Sequence, residues 1–421
     1  MMQIAYISFE YPPDSANGGI ATYVGQAARM MATRGHKVEV FAASPVREET
    51  LVENGVRVHW IRETSREKFG ERIGTVFAAR HAESPFDVLE GPDYSADARR
   101  AVQLVPDVPL VLKMHTPMLM VFRLNRPRDL RGALVNALRQ GKRMVASLAR
   151  GQRPRFTLQR PAMQWAMDWN RVEKAHARQA ALIATPSQDL GDFAVKEWGI
   201  PRERIRHAPY PYTPAPAFLE ATRNGDGRTV GFIGRLERRK GIEDLAEAIP
   251  QVLEVFPDAR FRFIGAIGKH QESGRPYDAW IREKVRPRGA EKLDFVGKIQ
   301  PARMGAALAE FDVVALPSLW ENFPNVCLEA MAAGRAIVGS KAGGMSEMLD
   351  EGRCGILLSP QDPDTLAQAI IRLLQDPEER KRLGALARQR VLEAYNEKVI
   401  GELYEEIYGE AKIGKSETLK C

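Results

Sequence analysis

Val230-Gly-Phe-Ile-Gly-Arg-Leu-Glu-Arg-Arg-Lys-Gly241 runs from an apolar stretch through a glycine into a strongly basic turn, and a helical pattern follows it. A short apolar strand that breaks at glycine and feeds a helix is the repeating unit of a parallel sheet. The unit recurs downstream. Apolar runs at Val230–Ile233, Arg260–Ile264, Leu293–Val296, Asp312–Leu316, Ala336–Ser340 and Gly355–Leu358 alternate with helical segments. Strands without a polar face are covered on both sides, so the class is α/β with a parallel sheet. Such sheets bind ligands at the carboxyl ends of their strands, near a switch in strand order. The chemistry is therefore expected in the residues just past each strand.

The first half carries the same rhythm more loosely. Gln3–Ser8, Lys37–Ala42, Val56–Ile61, Asp87–Glu90, Leu110–Met114, Ala181–Thr185 and Ile205–Tyr210 read as strands, with a helix from about Ile20 to Thr33 and a long, mostly helical stretch over about Leu119–Ala180. Between the halves lies Pro209-Tyr-Pro-Tyr-Thr-Pro-Ala-Pro216, with four prolines in eight residues. Such density makes an extended, semi-rigid connector. Its middle divides the chain into 1–212 and 213–395, and 396–421 follows as a final helix, about Glu397–Lys412, with a polar tail. A chain of 421 residues fits two domains of this size.

Composition narrows the class. With 44% hydrophobic and 27% charged residues the chain reads as a soluble globular protein. It has no apolar run long enough to span a bilayer. The opening Met-Met-Gln-Ile-Ala-Tyr-Ile-Ser lacks a charged leader and reads as a strand rather than a signal peptide. The three cysteines, Cys327, Cys354 and Cys421, match no metal spacing, and their scarcity fits a reducing, cytoplasmic setting. The net charge is +7. Between Arg123 and Arg160 there are eleven Arg or Lys and one acid, a local +10, so the rest of the chain carries −3. On a helical wheel Leu134, Leu138, Val145 and Leu148 share a face, with Arg131, Arg139, Lys142, Arg143 and Arg150 beside it. A basic amphipathic helix of this kind suits an anionic membrane surface. It equally suits packing of the apolar stripe on the domain, or a polyanionic acceptor. Only Phe122 and Phe156 accompany the charges, too few to stack bases, which argues against nucleic acid.

Four constellations follow strands. In Gly234–Gly241, Arg235 and Lys240 can converge on a diphosphate, one as a fork and one as a point charge, helped by the helix N-terminus beyond them. Taken alone, a basic turn is equally a solvated loop. Glu321-Asn-Phe-Pro-Asn-Val-Cys-Leu-Glu329 follows the strand ending at Leu316, and Pro324 suits the first turn of a helix there. Glu321 in the loop can hold sugar hydroxyls, and Glu329 inside the helix can accept both hydroxyls of a ribose. Gly18-Gly19 after the first strand lets a backbone approach a phosphate or sugar, though without the full dinucleotide fingerprint. His115 ends the strand Leu110–Met114. Asp362-Pro-Asp364 is read as helix-start chemistry, not a metal motif.

Gly234-Arg235-Leu236 … Lys240-Gly241, then Pro317-Ser318 … Glu321-x7-Glu329-Ala-Met-Ala-x-Gly334, resembles the signature of glycosyltransferase family 4. The Gly18-Gly19 loop, Gly343-Gly344-x-x-Glu347 and Gly355 fit the same order. The resemblance covers nearly the whole chain and is weakest at about 60–180. It implies two Rossmann-like domains facing across a cleft (GT-B), with the C-terminal helix crossing back to the N-terminal domain. It also implies roles. Arg235 and Lys240 would neutralise the leaving diphosphate, and Glu329 would bind the ribose. Glu321 with the backbone of Phe323, Pro324, Asn325 and Val326 would hold the donor sugar. Gly18 and Gly19 would approach it from the N-terminal domain, and His115 would touch it near the reaction centre. The activity implied is retaining transfer from a UDP- or GDP-sugar to a hydroxyl of a glycan, glycolipid or lipid-linked acceptor, with no metal and no other cofactor. Ala336, Phe323-Pro324 and Gly265-Ala-Ile-Gly268 depart from the common pattern, without removing a catalytic side chain. Rival readings are a nucleotide-sugar 2-epimerase, separated by its product, and a non-catalytic nucleotide-sugar-binding protein, which would show no turnover.

Overall fold

The computed structural model describes residues 1–15, 18–125, 162–221, 225–286 and 289–418. Two sheets lie in sequence. The first holds β1 (Gln3–Ser8), β2 (Lys37–Ser44), β3 (Glu49–Glu53), β4 (Val56–Arg62), β5 (Val88–Pro92), β6 (Leu110–Lys113), β7 (Leu182–Thr185) and β8 (Ile205–His207), in the order β3-β4-β2-β1-β5-β6-β7-β8. All neighbours are parallel except β3 and β4. The second holds β9 (Thr229–Ile233), β10 (Arg260–Ile264), β11 (Leu293–Gly297), β12 (Val313–Leu316), β13 (Ala336–Ser340) and β14 (Ile356–Leu358), in the order β11-β10-β9-β12-β13-β14, all parallel. The chain is thus an α/β protein with two Rossmann-like sheets. Each reverses its strand order beside its first strand, β1/β5 and β9/β12, which puts a ligand crevice at the end of both pairs.

The helices that position the site are α1 (Gly19–Thr33), α2 (Arg66–Glu83), α3 (Arg99–Leu104), α4 (Ala162–Gln179), α5 (Gln188–Trp198), α6 (Ile242–Val255), α7 (Asn325–Ala332) and α8 (Glu397–Thr418). Burial explains the strands. Val230, Phe232, Val313, Val314 and Ala315 are all within 2% of full burial, so neither face of β9 or β12 meets solvent.

Helix α8 returns to the first sheet. The Tyr408 hydroxyl donates to Glu90 at 2.7 Å and pairs with the Tyr6 hydroxyl at 2.9 Å. Tyr404 accepts from Tyr23 at 2.9 Å and from the Lys113 ammonium at 2.5 Å. Glu405 takes both Arg34 nitrogens and His36. The helix runs to Thr418, past the end at Lys412 that the polar tail suggests.

Strand β3 and helix α2 are among the elements that escape the sequence reading. Strand β3 is an exposed, polar edge strand whose pairing comes from β4 alone. Helix α2 buries only Phe69, Ile73, Gly74 and Phe77 along 18 residues, too thin a stripe to stand out from its charges. Pro324 caps α7 from outside in extended geometry, one residue before the helical position assigned to it. Asp362 accepts the Thr365 N–H at 3.0 Å, as a helix cap does. Of the basic segment 123–160, residues 126–160 lie outside the described residues, as do Asn17 and Cys421. No helix among the described residues is long and apolar enough to cross a membrane.

Candidate active site

The loop after β9 is pinned to the loop after β12. Gly241 takes φ 68°, and a Cβ there would collide with the Pro317 carbonyl oxygen. Only glycine makes both the left-handed turn and the close approach. The Leu319 N–H then donates to the Arg239 carbonyl at 2.8 Å. This packing carries Lys240 and Arg239 to Glu321. The Lys240 ammonium, an Arg239 nitrogen at 3.3 Å and the Ser318 hydroxyl at 3.1 Å all donate to Glu321 Oε1. Glu321 is buried. Burial pushes its carboxyl up, but the two cations and their hydrogen bonds, with that of Ser318, bring it below its ordinary value. The site therefore holds a fixed carboxylate with two cations gathered on it.

Arg235 is elsewhere. Its side chain is 63% exposed and 3.5 Å from Glu237. The structure brings Lys240 and Glu321 together and adds Arg239, which the sequence did not single out, to the same carboxylate. The turn shows three arginines before Lys240, but not which of them reaches Glu321.

Helix α7 buries Cys327, Leu328, Ala330 and Met331. Asn325 and Val326 stay partly open and line the cleft. Glu329, one turn on from them, is raised by burial to about 7. The Phe323 ring is buried edge-on to Tyr210 and Tyr395, at 5.4 and 5.2 Å between centroids.

The opposite wall comes from the first domain. His115 is buried at the end of β6, and its N–H donates to Asp93 at 2.8 Å. Its Nδ1 meets the Tyr210 hydroxyl at 2.7 Å. Burial, then the charges of Lys113 and Arg66, lower its pKa well below the usual value, so the imidazole is neutral at physiological pH. Gly18 caps α1, and Gly19 faces Asn325: a Cβ on Gly19 would stand 3.7 Å from the Asn325 amide nitrogen. Between the walls is a cavity of about 340 Å3 lined by Gly19, His115, Lys240, Glu321, Phe323, Pro324, Asn325 and Val326, together with Arg239, Tyr94 and Tyr210. Eight of the eleven residues named for the site thus share one cavity, while Gly18, Arg235 and Glu329 do not line it.

Direct bonds close the cleft. The Asn322 amide donates to the His115 carbonyl at 2.6 Å and accepts from the Ser187 hydroxyl at 2.9 Å. Glu347 accepts the Gln188 N–H at 2.8 Å and lies 3.1 Å from His207. Gly344 is required here, because a Cβ would run into the Asn322 carbonyl oxygen. A larger cavity, about 690 Å3, sits at the far end of the second sheet. Its arginines are occupied: Arg335, Arg380 and Arg388 donate to backbone carbonyls, including those of Ala333, Leu374 and Ala332. The arginines of that cavity thus brace helix ends.

Residues 18–211 match the family described as glycosyl transferase 4-like domain, and residues 227–376 match glycosyl transferases group 1. The chain belongs to the family 4 glycosyltransferases. Two curated relatives agree over nearly the full length. Glycogen synthase of Mycobacterium tuberculosis is 25% identical over 98% of this chain and 96% of its own. Phosphatidyl-myo-inositol mannosyltransferase of Mycolicibacterium smegmatis is 28% identical over 91% of this chain and 87% of its own. Among solved structures, Anabaena HepE in complex with UDP-glucose superposes with a TM-score of 0.65 at 17% identity, covering 97% of this chain and 100% of that one. The likeness carries the GT-B fold. In this family 4 glycosyltransferase the candidate site lies in the cleft between the two sheets.

Proposed function

We propose that this enzyme is a retaining glycosyltransferase that moves a sugar from a UDP- or GDP-sugar to a hydroxyl of a glycan, glycolipid or lipid-linked acceptor, without a bound metal or other cofactor. The observation that carries the reading is the pair Lys240 and Arg239, gathered on Glu321 at the floor of a cavity that His115 and Gly19 close from the other domain. Support for a nucleotide-sugar donor comes from HepE, solved with UDP-glucose, and support for a lipid-linked acceptor from the relative named for phosphatidyl-myo-inositol.

In this reaction the acceptor oxygen bonds to the anomeric carbon while the bond from that carbon to the diphosphate oxygen breaks. The electron pair leaves on the phosphate, and the acceptor's proton passes to a phosphate oxygen on the same face, so configuration is retained. Negative charge grows on the leaving group. Cations already fixed beside it stabilise the transition state more than the ground state. Lys240 and Arg239 hold that place, Arg235 can swing to it from the surface, and Glu321 keeps the first two oriented while the site is empty. Glu321 Oε1 is already engaged by three donors, which suits a positioning role and not that of a nucleophile. Neutral His115 offers a hydrogen bond to the donor sugar, and Glu329 is assigned to the ribose hydroxyls.

A panel of UDP- and GDP-sugars with glycan and lipid acceptors, read by nucleotide release and by proton coupling at the new anomeric centre, tests the reading. One donor is expected to give a glycoside of unchanged configuration in excess chelator. An inverted product, or turnover restored only by a divalent ion, would overturn it. Docking of residues 123–160 on an anionic leaflet belongs to the same proposal and rests on their local charge of +10. Flotation with phosphatidylglycerol vesicles at low salt is expected to carry the protein up, and Arg139, Lys142 and Arg143 changed to Glu to leave it behind. A protein that stays at the bottom in both cases refutes the membrane part alone.

A further inference from the structure

A second cavity, about 340 Å3, lies between α2, α3 and α4 on the first domain, and the reaction described above does not use it. One side is aromatic. Trp165 and Trp169 stand one turn apart on α4, with ring centroids 6.5 Å apart and planes at 69°. Trp165 is 45% exposed, unusual for a residue that proteins bury on average. The polar lining is balanced: Arg66, Arg99 and Arg100 against Glu67, Glu71 and Asp168.

This cavity shares a wall with the catalytic cleft. Tyr94 lines the cleft beside His115, while the next two residues, Ser95 and Ala96, line the second cavity. Both take positive φ, 61° and 52°, a conformation non-glycine residues seldom adopt. Glu173 holds the turn by accepting the N–H groups of Ser95 at 3.3 Å and Met118 at 3.1 Å. Arg66 completes the partition, its guanidinium 4.9 Å from the Tyr94 ring centroid and hydrogen-bonded to Glu10 at 2.6 Å.

An open indole face beside donors and acceptors of both signs suits a neutral polyhydroxyl ring. The C–H face of a sugar covers the indole, and its hydroxyls need both carboxylates and guanidinia. A phosphorylated or acidic ligand would want a surplus of cations, and among the described residues the lining is balanced. The volume falls in the range of small-ligand sites, about 300–1,000 Å3. We propose that the cavity is an acceptor subsite, holding sugar residues of a glycan acceptor adjacent to the one that carries the reacting hydroxyl. The proposal rests on the reading of the acceptor as a glycan hydroxyl.

The full-length chain is titrated with maltotetraose, α-mannotetraose and chitotetraose while tryptophan fluorescence is followed, and turnover is measured with each tetrasaccharide and its methyl monosaccharide. At least one tetrasaccharide should quench the wild type. Trp165→Ala and Arg99→Ala should lose the quenching and raise the KM for that tetrasaccharide about tenfold or more. The KM for the nucleotide sugar should stay put, and Trp165→Phe should recover part of the binding. Circular dichroism checks that the variants are folded. No quenching by any of the three, or equal affinity in wild type and Trp165→Ala, overturns the subsite. Failure of the transfer reading looks different: wild type releases no nucleotide with any donor, whatever it binds in this cavity.

Discussion

The side-chain amide of Asn322 donates a hydrogen bond to the backbone carbonyl of His115, 2.6 Å away across the cleft. One residue thereby links the donor loop behind Glu321 to the end of β6. Its other atom accepts from Ser187, so both amide groups are engaged with the first domain.

Asn322→Ala removes both bonds from a buried place. Each buried partner left alone costs about 1–3 kcal/mol. The closed arrangement should weaken, with turnover falling about 10- to 100-fold. Nucleotide affinity, which the proposed reading assigns to the second domain, should stay within about twofold. Steady-state rates beside calorimetry with the nucleoside diphosphate separate the two. Equal losses in both would refute a role confined to closure.

Lys240→Ala should lower kcat by about 10²–10³-fold, or about 2.7–4 kcal/mol, the usual effect of removing one preorganised donor to developing charge. Arg239→Ala should do likewise and also lower the melting temperature, because Glu321 stays buried with one cation fewer. Arg235→Ala, at the surface, should reduce turnover without a change in melting temperature. Wild-type rates in both Lys240→Ala and Arg239→Ala would remove the diphosphate assignment.

Glu329 opposes stability to function. Its folded pKa, about 7, lies above the ordinary 4.5 because burial disfavours the charge. Between those values the folded protein binds the extra proton, so this group's contribution turns unfavourable as pH rises from 4.5 to 7 and stays so above. Glu329→Gln should therefore raise the melting temperature at pH 8 and leave it nearly unchanged at pH 4.5. With the carboxylate as the proposed acceptor for the ribose hydroxyls, nucleotide affinity should drop at pH 8. Melting curves at the two pH values and calorimetry with the nucleotide check both signs.

Lys113 and Glu90 are buried beneath the site among Tyr6, Tyr23, Tyr404 and Tyr408. Burial brings the Lys113 pKa down to about 7, against the opposing pull of Glu90. Lys113→Met removes the buried charge that acts on Glu90 and the bonds to the Ala208 carbonyl and Tyr404, and should cost about 3–5 kcal/mol in urea unfolding. Adding Glu90→Gln should recover part of that loss. A double variant no better than Lys113→Met would mean that the two charges do not depend on each other.

The sequence made some of this readable and hid the rest for physical reasons. Strands β9 and β12 are buried on both faces, and their apolar runs stand out. Strand β3 is polar because it lies on an edge, and nothing local marks it. Lys240 and Glu321 sit just after strands, where parallel sheets place ligands. Asn322 lies inside the motif Glu321–Glu329 but carries no local sign of its partners, since Ser187 and His115 lie 135 and 207 residues away. Arg235 and Arg239 differ only in how a short turn rotates them, which no periodicity records. Tyr210 stood in plain view in the proline-rich connector, yet its bond to His115 depends on the fold of the whole first domain.

The chain crosses between the domains twice, out through residues 208–216 and back into α8, and the crossings touch where the Tyr212 N–H donates to the Tyr395 carbonyl at 2.7 Å. Helix α8, last in sequence, belongs by contact to the first domain: Tyr408 to Glu90, Glu405 to Arg34, Lys412 to Asp87. Recombination that exchanges the second half of the gene at one crossover therefore installs a foreign helix against a tyrosine cluster it did not evolve with. A chimera built for a new donor has to be spliced at two points, taking residues 213–395 from one parent and keeping 397–418 with the parent of the first domain.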